Sequence, residues 1–248
     1  MISVVIIPAY NPDEALVRIV KELSERRILP VVVDDGSEEE SQKIFDEICE
    51  ECIILHHEKN KGKGAAVKSA MSYIKGELWG FDTIGIMDAD GQHRTEDMAR
   101  LLDFSRNHRK ALSLGVRAVG KDIPLRSRMG NTITRKVFRL VSGKEVSDTQ
   151  TGLRAFDTEL LQALMSVKGE RYEYEMNMLL ECADRNIPIK EMKIETIYHD
   201  EDNSCSHFRT VRDSFRIYRE IMKFICSFKD HETTTEEDYN LGRGDTII

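Results

Sequence analysis

The sequence predicts an α/β fold, with a mostly parallel central sheet and helices on both faces. Three observations carry this. Ile2–Ile7 and Val31–Val33 are short, unbroken apolar runs, the pattern of strands covered on both sides. The segments between such runs carry apolar residues at helical spacing, and strand and helix alternate four times in about 90 residues. The first, second and fourth runs end in the polar loops PAYN, DDGS and DADGQ. A parallel sheet delivers all three loops to its carboxyl edge, where open α/β sheets bind ligands.

In order, the first run stops at Pro8-Ala9-Tyr10-Asn11-Pro12, and Glu14–Arg27 follows as a helix through Ala15, Leu16, Ile19, Val20 and Leu23. Val31-Val32-Val33 ends in Asp34-Asp35-Gly36-Ser37. Helix then runs to about Cys49 on Ile44, Phe45 and Ile48, and a strand covers Cys52–Leu55. Asn60-Lys61-Gly62-Lys63-Gly64 opens a helix over Ala65–Ile74, and Thr83–Met87 is the fourth strand. Residues 94–110 form a helix with Met98, Leu101 and Leu102 inward, and Ala111–Gly115 is a strand ending at Val116-Arg117. Glu170–Arg185 is a helix with Met176, Leu179, Leu180 and Ala183 inward, and Ile187–Ile197 gives a last strand.

The chemistry centres on TIGIMDADGQ. Side chains two apart on a strand point to the same face, so Asp88 and Asp90 converge. Two converging carboxylates repel, and a cation relieves them. Hard oxygen ligands suit Mg²⁺ or Mn²⁺, whose remaining positions take phosphate oxygens. The expectation is a metal–diphosphate site. The plainer alternative is a turn, since Asp and Gly supply turn chemistry. In Asn60–Gly64 the glycines and lysines, Lys63 among them, can approach a phosphate or ribose closely, although the same residues suit an ordinary helix start.

Composition bounds the partners. The chain has 248 residues and a net charge of −8, which excludes nucleic acid as the expected partner. No run of 18 apolar residues encodes a membrane-spanning helix, and MISVVIIPAY reads as a strand rather than a signal peptide, so a cytoplasmic location is expected. The five cysteines are scattered. Cys49 and Cys52 form a C-x-x-C with no second pair at zinc-site spacing, which reads as reduced thiols.

IPAYN, VVVDDGS, NKGKGAA, DADGQ and DTQTGLRAF, in that order, resemble a family-2 glycosyltransferase of the GT-A fold over roughly residues 1–160. The pattern is most similar to the polyprenyl-phosphate, dolichyl-phosphate-mannose-synthase-like sugar transferases. The resemblance implies an inverting transfer from a UDP- or GDP-sugar to an acceptor. It implies that Pro8, Ala9, Tyr10 and Asp35 frame the base and ribose. Asp88 and Asp90 would hold the metal on the diphosphate, with Gln92 as a further ligand, and Asp90 counts among the catalytic residues. The family usually has Glu after the Tyr-Asn pair, whereas Pro12-Asp13-Glu14 stands here.

Lys121, Arg126, Arg128, Arg135, Lys136 and Arg139 are interleaved with Ile133, Val137, Phe138, Leu140 and Val141, and residues 133, 137, 140 and 141 share one side of a helix. This is either an amphipathic surface helix or a seat for a lipid phosphate at a membrane surface. The resemblance implies the second, with Arg117, Arg126 and Arg128 as candidate acceptor-phosphate ligands and a peripheral contact at the inner membrane face. Asp148 and Gln150 would face sugar hydroxyls or the acceptor, while Arg154 and Phe156 are lining or structural. Relatives acting on hydroxyl acceptors place a carboxylate base near Glu175, whereas a phosphate acceptor, already an anion, needs none. Glu175 is therefore a base, an acceptor contact or a helix-start charge, and Asp148 is the other candidate base. His207 is a candidate metal ligand, or a diphosphate contact with Arg209, or an ordinary loop histidine. Val211–Phe228 reads as a second basic amphipathic helix. The catalytic domain is expected over 1–228, with 229–248 a disordered acidic tail. The preferred acceptor is a polyprenyl phosphate. The alternatives are a glycan or glycolipid hydroxyl, and a non-catalytic nucleotide-sugar-binding protein.

Overall fold

A computed structural model describes residues 2–117 and 125–195. The described strands are β1 (Ile2–Ala9), β2 (Ile28–Asp34), β3 (Ile53–His56), β4 (Phe81–Ile86), β5 (Leu112–Arg117), β6 (Arg154–Asp157) and β7 (Ile189–Ile194). The described helices are α1 (Glu14–Glu25), α2 (Gln42–Ile48), α3 (Lys63–Glu77), α4 (Thr95–Asn107), α5 (Leu125–Ser142), α6 (Leu161–Met165) and α7 (Glu173–Asp184). They build one mixed sheet in the order β3-β2-β1-β4-β6-β5-β7. The first four strands and the β5–β7 pair are parallel, and β6 alone runs antiparallel to both its neighbours.

The apolar runs form buried strands because both faces are covered. Val5, Ile7 and Val32 join a core with Leu16, Leu23, Phe45, Ile48, Met98 and Leu101. Val4, Ile6, Val31 and Val33 point the other way and are buried as well, on the side where α3 packs over β1 and β2. Fully burying one such side chain contributes about 1.5–3 kcal/mol. The start of α1 is fixed by Asp13, whose Oδ1 accepts from Ala15 N at 2.8 Å.

Three differences from the sequence expectation affect the site. The four-residue β6 was not anticipated. It slots between β4 and β5 with Ile84 opposite Phe156 and Ser113 opposite Ala155. Running antiparallel, it brings the preceding loop, residues 148–153, to the carboxyl ends of β4 and β5. Second, α3 begins at Lys63, two residues earlier than expected, because Gly62 provides the cap. Third, α5 faces inward through Thr134 and Phe138, while Leu140 is 83% exposed. The Thr134 hydroxyl shares a 2.7 Å hydrogen bond with that of Thr149, and Phe138 buries more apolar surface than leucine could, so the helix turns Leu140 outward. On α7, Met176, Leu179 and Leu180 are buried as expected, and Cys182 is buried in place of Ala183.

Lys121, His207, Arg209, the end of the last expected strand, the expected helix at 211–228 and the expected tail at 229–248 lie outside the described residues. Among the described residues, no helix is long and apolar enough to cross a membrane.

Candidate active site

The loops after β1 and β2 lock together and brace the start of α3. Asp34 Oδ1 accepts from Ser37 N at 2.8 Å, Ser37 Oγ accepts from Asn11 N at 2.9 Å, and Asn11 Oδ1 accepts from Glu38 N at 2.8 Å. Asp35 is buried, and its oxygens accept from Lys61 N at 2.9 Å and Gly62 N at 2.7 Å. His57 Nδ1 lies 2.7 Å from Asp35 Oδ1, and its Nε2 lies 2.9 Å from Ser69 Oγ. The geometry suits Nδ1 donating to the Asp35 carboxylate, and Nε2 shares the second hydrogen bond with the serine hydroxyl. Gly62 has φ +107°, and a Cβ there would stand 2.4 Å from Arg171 Cγ and 2.5 Å from Glu170 O. Only glycine fits. Pro8 and Ala9 close β1 beside this brace, Ala9 buried and Tyr10 half-buried.

Lys63 is therefore delivered at a fixed point. Its neighbour Gly64 packs so closely on Tyr174 that a Cβ would fall 2.5 Å from Tyr174 Cβ. The Lys63 ammonium bridges two carboxylates, Asp88 Oδ1 at 2.5 Å and Glu175 Oε1 at 2.6 Å. Burial opposes its charge, but Asp88 and Glu175 more than offset this and hold the ammonium above its ordinary range. Burial likewise resists ionisation of Asp88, and the Lys63 charge overcomes it, so Asp88 stays below the usual carboxylate range. For Asp90 the Lys63 charge acts in the same direction but does not prevail. Burial and then the Asp88 charge push it up to about 6, although its Oδ1 accepts from Gln92 N at 3.0 Å.

The donor set fits a metal bound jointly with a ligand. Among the described residues there is no group of three or more His, Cys, Asp or Glu side chains that could hold an ion. Two adjacent carboxylates, one of them charge-stressed, match a Mg²⁺ or Mn²⁺ that takes its other ligands from phosphate oxygens and water. Gln92 directly follows this pair in the turn made by Gly91 at φ +72°.

A second set of contacts comes from β5, α5 and the loop before β6. Arg117 Nε donates to Asp148 Oδ2 at 2.8 Å, and Asp148 Oδ1 accepts from Gln150 N at 3.0 Å. Asn131 Oδ1 accepts from Thr149 N and Oγ1 at 3.1 and 3.0 Å, and Thr151 Oγ1 donates to Gly115 O at 2.6 Å. Arg154 is fully buried. Its Nε donates to Thr151 O at 3.0 Å and its Nη1 to Glu175 O at 2.7 Å, which ties this loop to α7. Arg154 and the buried Phe156 are thus structural. Arg126 and Arg128 fall within α5, their side chains outside the described set.

Sequence reasoning missed His93, which follows DADGQ directly. It is 7% exposed, and among the described residues its buried Nδ1 has no hydrogen-bond partner. Burial lowers its basicity, and the charges of Asp88, Arg117, Lys63 and Asp148 all act on it. The imidazole therefore feels the charges that the fold gathers from both parts of the site, Lys63 and Asp88 from one and Arg117 and Asp148 from the other.

Residues 4–165 match the Glycosyl transferase family 2 description. The chain is 30% identical over 238 residues to the UDP-N-acetylglucosamine–dolichyl-phosphate N-acetylglucosaminyltransferase of Methanococcus voltae, covering 88% of this chain and 93% of that one. It is 27% identical over 208 residues to the polyprenol monophosphomannose synthase of Mycolicibacterium smegmatis, covering 77% and 76%. A solved structure, glucosyl-3-phosphoglycerate synthase from Mycobacterium tuberculosis with Mn²⁺, UDP and phosphoglyceric acid, superposes with a TM-score of 0.67. That match covers 92% of this chain and 78% of that one at 17% identity, a likeness of fold.

Proposed function

Because the chain belongs to glycosyl transferase family 2 and is a glycosyltransferase of GT-A fold, we propose that it moves a sugar from a UDP- or GDP-sugar onto a polyprenyl phosphate, with inversion at the anomeric carbon. The observation that carries the choice of acceptor is the state of the two candidate bases. Glu175 is engaged by Lys63 at 2.6 Å and Asp148 by Arg117 at 2.8 Å. In each pair the carboxylate oxygen facing the cation is already taken, so that oxygen must release its partner before it can receive an acceptor's proton. A phosphate acceptor attacks as an anion and asks for no base, whereas a hydroxyl acceptor would require one of these pairs to open. The relatives named above, which act on dolichyl phosphate or make a polyprenol monophosphate sugar, support the same choice.

In this reading Asp88 and Asp90, with Gln92 beside them, hold Mg²⁺ or Mn²⁺ on the donor diphosphate. The ion would neutralise charge as the diphosphate departs. Pro8, Ala9 and Tyr10 flank the nucleoside, and Asp35 acts by bracing the loop that delivers Lys63. Arg117 and the α5 arginines, Arg126 and Arg128, receive the acceptor phosphate. Outward-facing Leu140 beside Lys136 and Arg139 supports a peripheral contact with an anionic membrane face.

A thermal-shift series with UDP, GDP and their sugars, with and without Mn²⁺, tests the donor half. Metal-dependent stabilisation by one nucleotide, lost in Asp90→Ala, is the expected result. Stabilisation by none of them would overturn the donor assignment.

A further inference from the structure

Lys63 sits on a carboxylate that the donor reading assigns to the metal. Asp88 Oδ1 lies 2.5 Å from the Lys63 ammonium, and Oδ2 packs against Gly152. The three side chains are unequally placed. Asp88 is 27% exposed, while Lys63 and Glu175 are 14% and 15% exposed. The Glu175 end of the bridge is thus the more sheltered one, and the Asp88 end the more open. The backbone beneath Lys63 cannot yield. Gly62 N is held by Asp35 at 2.7 Å, Ala65 N by Glu170 O at 2.9 Å, and Gly64 is pressed on Tyr174. Any adjustment is left to a flexible four-carbon side chain with three N–H donors, two of them engaged.

We propose that Lys63 is a resident counter-ion that the donor's metal displaces from Asp88, and that Glu175 retains the ammonium and turns it onto the arriving diphosphate. This rests on the donor reading above and deepens it. Metal alone must strip Lys63 from Asp88 and set a second cation beside it, with no anion to receive the freed ammonium. Metal with a nucleoside diphosphate brings that anion. Lys63 therefore opposes bare metal and favours the metal–nucleotide pair, which couples the two binding events. Glu175 is a positioning residue, acting through Lys63.

The test is titration of the full chain with MnCl₂ alone, followed by bound Mn²⁺ in the paramagnetic resonance spectrum, and with UDP or GDP at saturating Mn²⁺ by calorimetry. Lys63→Met is expected to bind Mn²⁺ alone about tenfold more tightly than wild type, and to bind nucleotide with Mn²⁺ at least about tenfold more weakly. Glu175→Gln keeps the ammonium but removes its anchor, so Lys63 leans wholly on Asp88 and both affinities fall. It serves independently if Lys63→Met does not fold. Opposite signs in Lys63→Met bear the proposal out. Unchanged or weaker Mn²⁺ binding in Lys63→Met, or unaltered affinities in Glu175→Gln, overturns it while wild-type nucleotide binding leaves the donor reading intact. If wild type binds neither nucleotide with Mn²⁺, the donor reading itself fails and takes the proposal with it.

Discussion

Gly152 lies directly against Asp88. A Cβ on Gly152 would fall 2.1 Å from Asp88 Oδ2 and 2.6 Å from its Cγ. The glycine of the TQTG loop thus leaves room for the carboxylate that ends the fourth strand. What such a Cβ meets is the end of a side chain, so the carboxylate and not the backbone would give way. Gly152→Ala is accordingly expected to fold with nearly wild-type stability, yet to lose at least about tenfold in Mn²⁺-dependent nucleotide affinity. Circular dichroism and calorimetry on the same sample check both halves. Wild-type affinity would mean that the Asp88 position is not critical.

Asp90 gives a pH prediction. Its folded-state value of about 6 lies above the ordinary 3.8, so the folded protein holds this proton more tightly than the unfolded chain. Ionising Asp90 then costs the ligand-free fold nothing below about pH 4, progressively more up to about pH 6, and the full amount above. Asp90→Asn removes that cost and keeps an oxygen for Gln92 N. It should be more stable than wild type at pH 7.5 by up to about 3 kcal/mol, and equal to it near pH 4. Paired melting curves at the two pH values decide. The same substitution abolishes metal-dependent nucleotide binding.

Glu175 separates the two kinds of acceptor. If it only positions Lys63, Glu175→Gln raises KM for the nucleotide sugar and lowers kcat by less than about tenfold. Were it a general base, kcat would fall by about 10²–10⁴ with KM little changed. Steady-state kinetics with donor and acceptor varied in turn read the difference.

Arg154→Met probes the buried tie between the TQT loop and α7. The Thr151 carbonyl would lose its Arg154 donor in a buried setting, at about 1–3 kcal/mol, while that of Glu175 would keep the bond it accepts within α7 and lose only the second. Urea unfolding should show a lower midpoint with an unchanged slope, and an unaltered midpoint would contradict the assignment of Arg154 as structural.

Much of the framework was legible because its signals are local. Ile2–Ile7, Val31–Val33 and the helical spacing of Leu16, Ile19, Val20 and Leu23 announce buried strands and their covering helix without reference to anything distant. Asp88 and Asp90 were legible for the same reason, as an apolar run breaking into a carboxylate pair. What escaped is set by distant partners. RAFD is too short to show a strand period, and only pairing with β4 and β5 makes it one. The rotation of α5 depends on a hydroxyl fifteen residues away, at Thr149. Lys63 meets Glu175 across 112 positions, and no local pattern at either residue encodes that. His93 was visible beside DADGQ, but its burial was not.

The most direct measurement is product formation from a labelled UDP- or GDP-sugar with Mg²⁺ or Mn²⁺, offered a short polyprenyl phosphate, the matching polyprenol and a soluble glycan. The account predicts a lipid-linked sugar phosphate from the polyprenyl phosphate alone, with no product in Asp90→Ala. Label appearing only on the polyprenol or the glycan would contradict it.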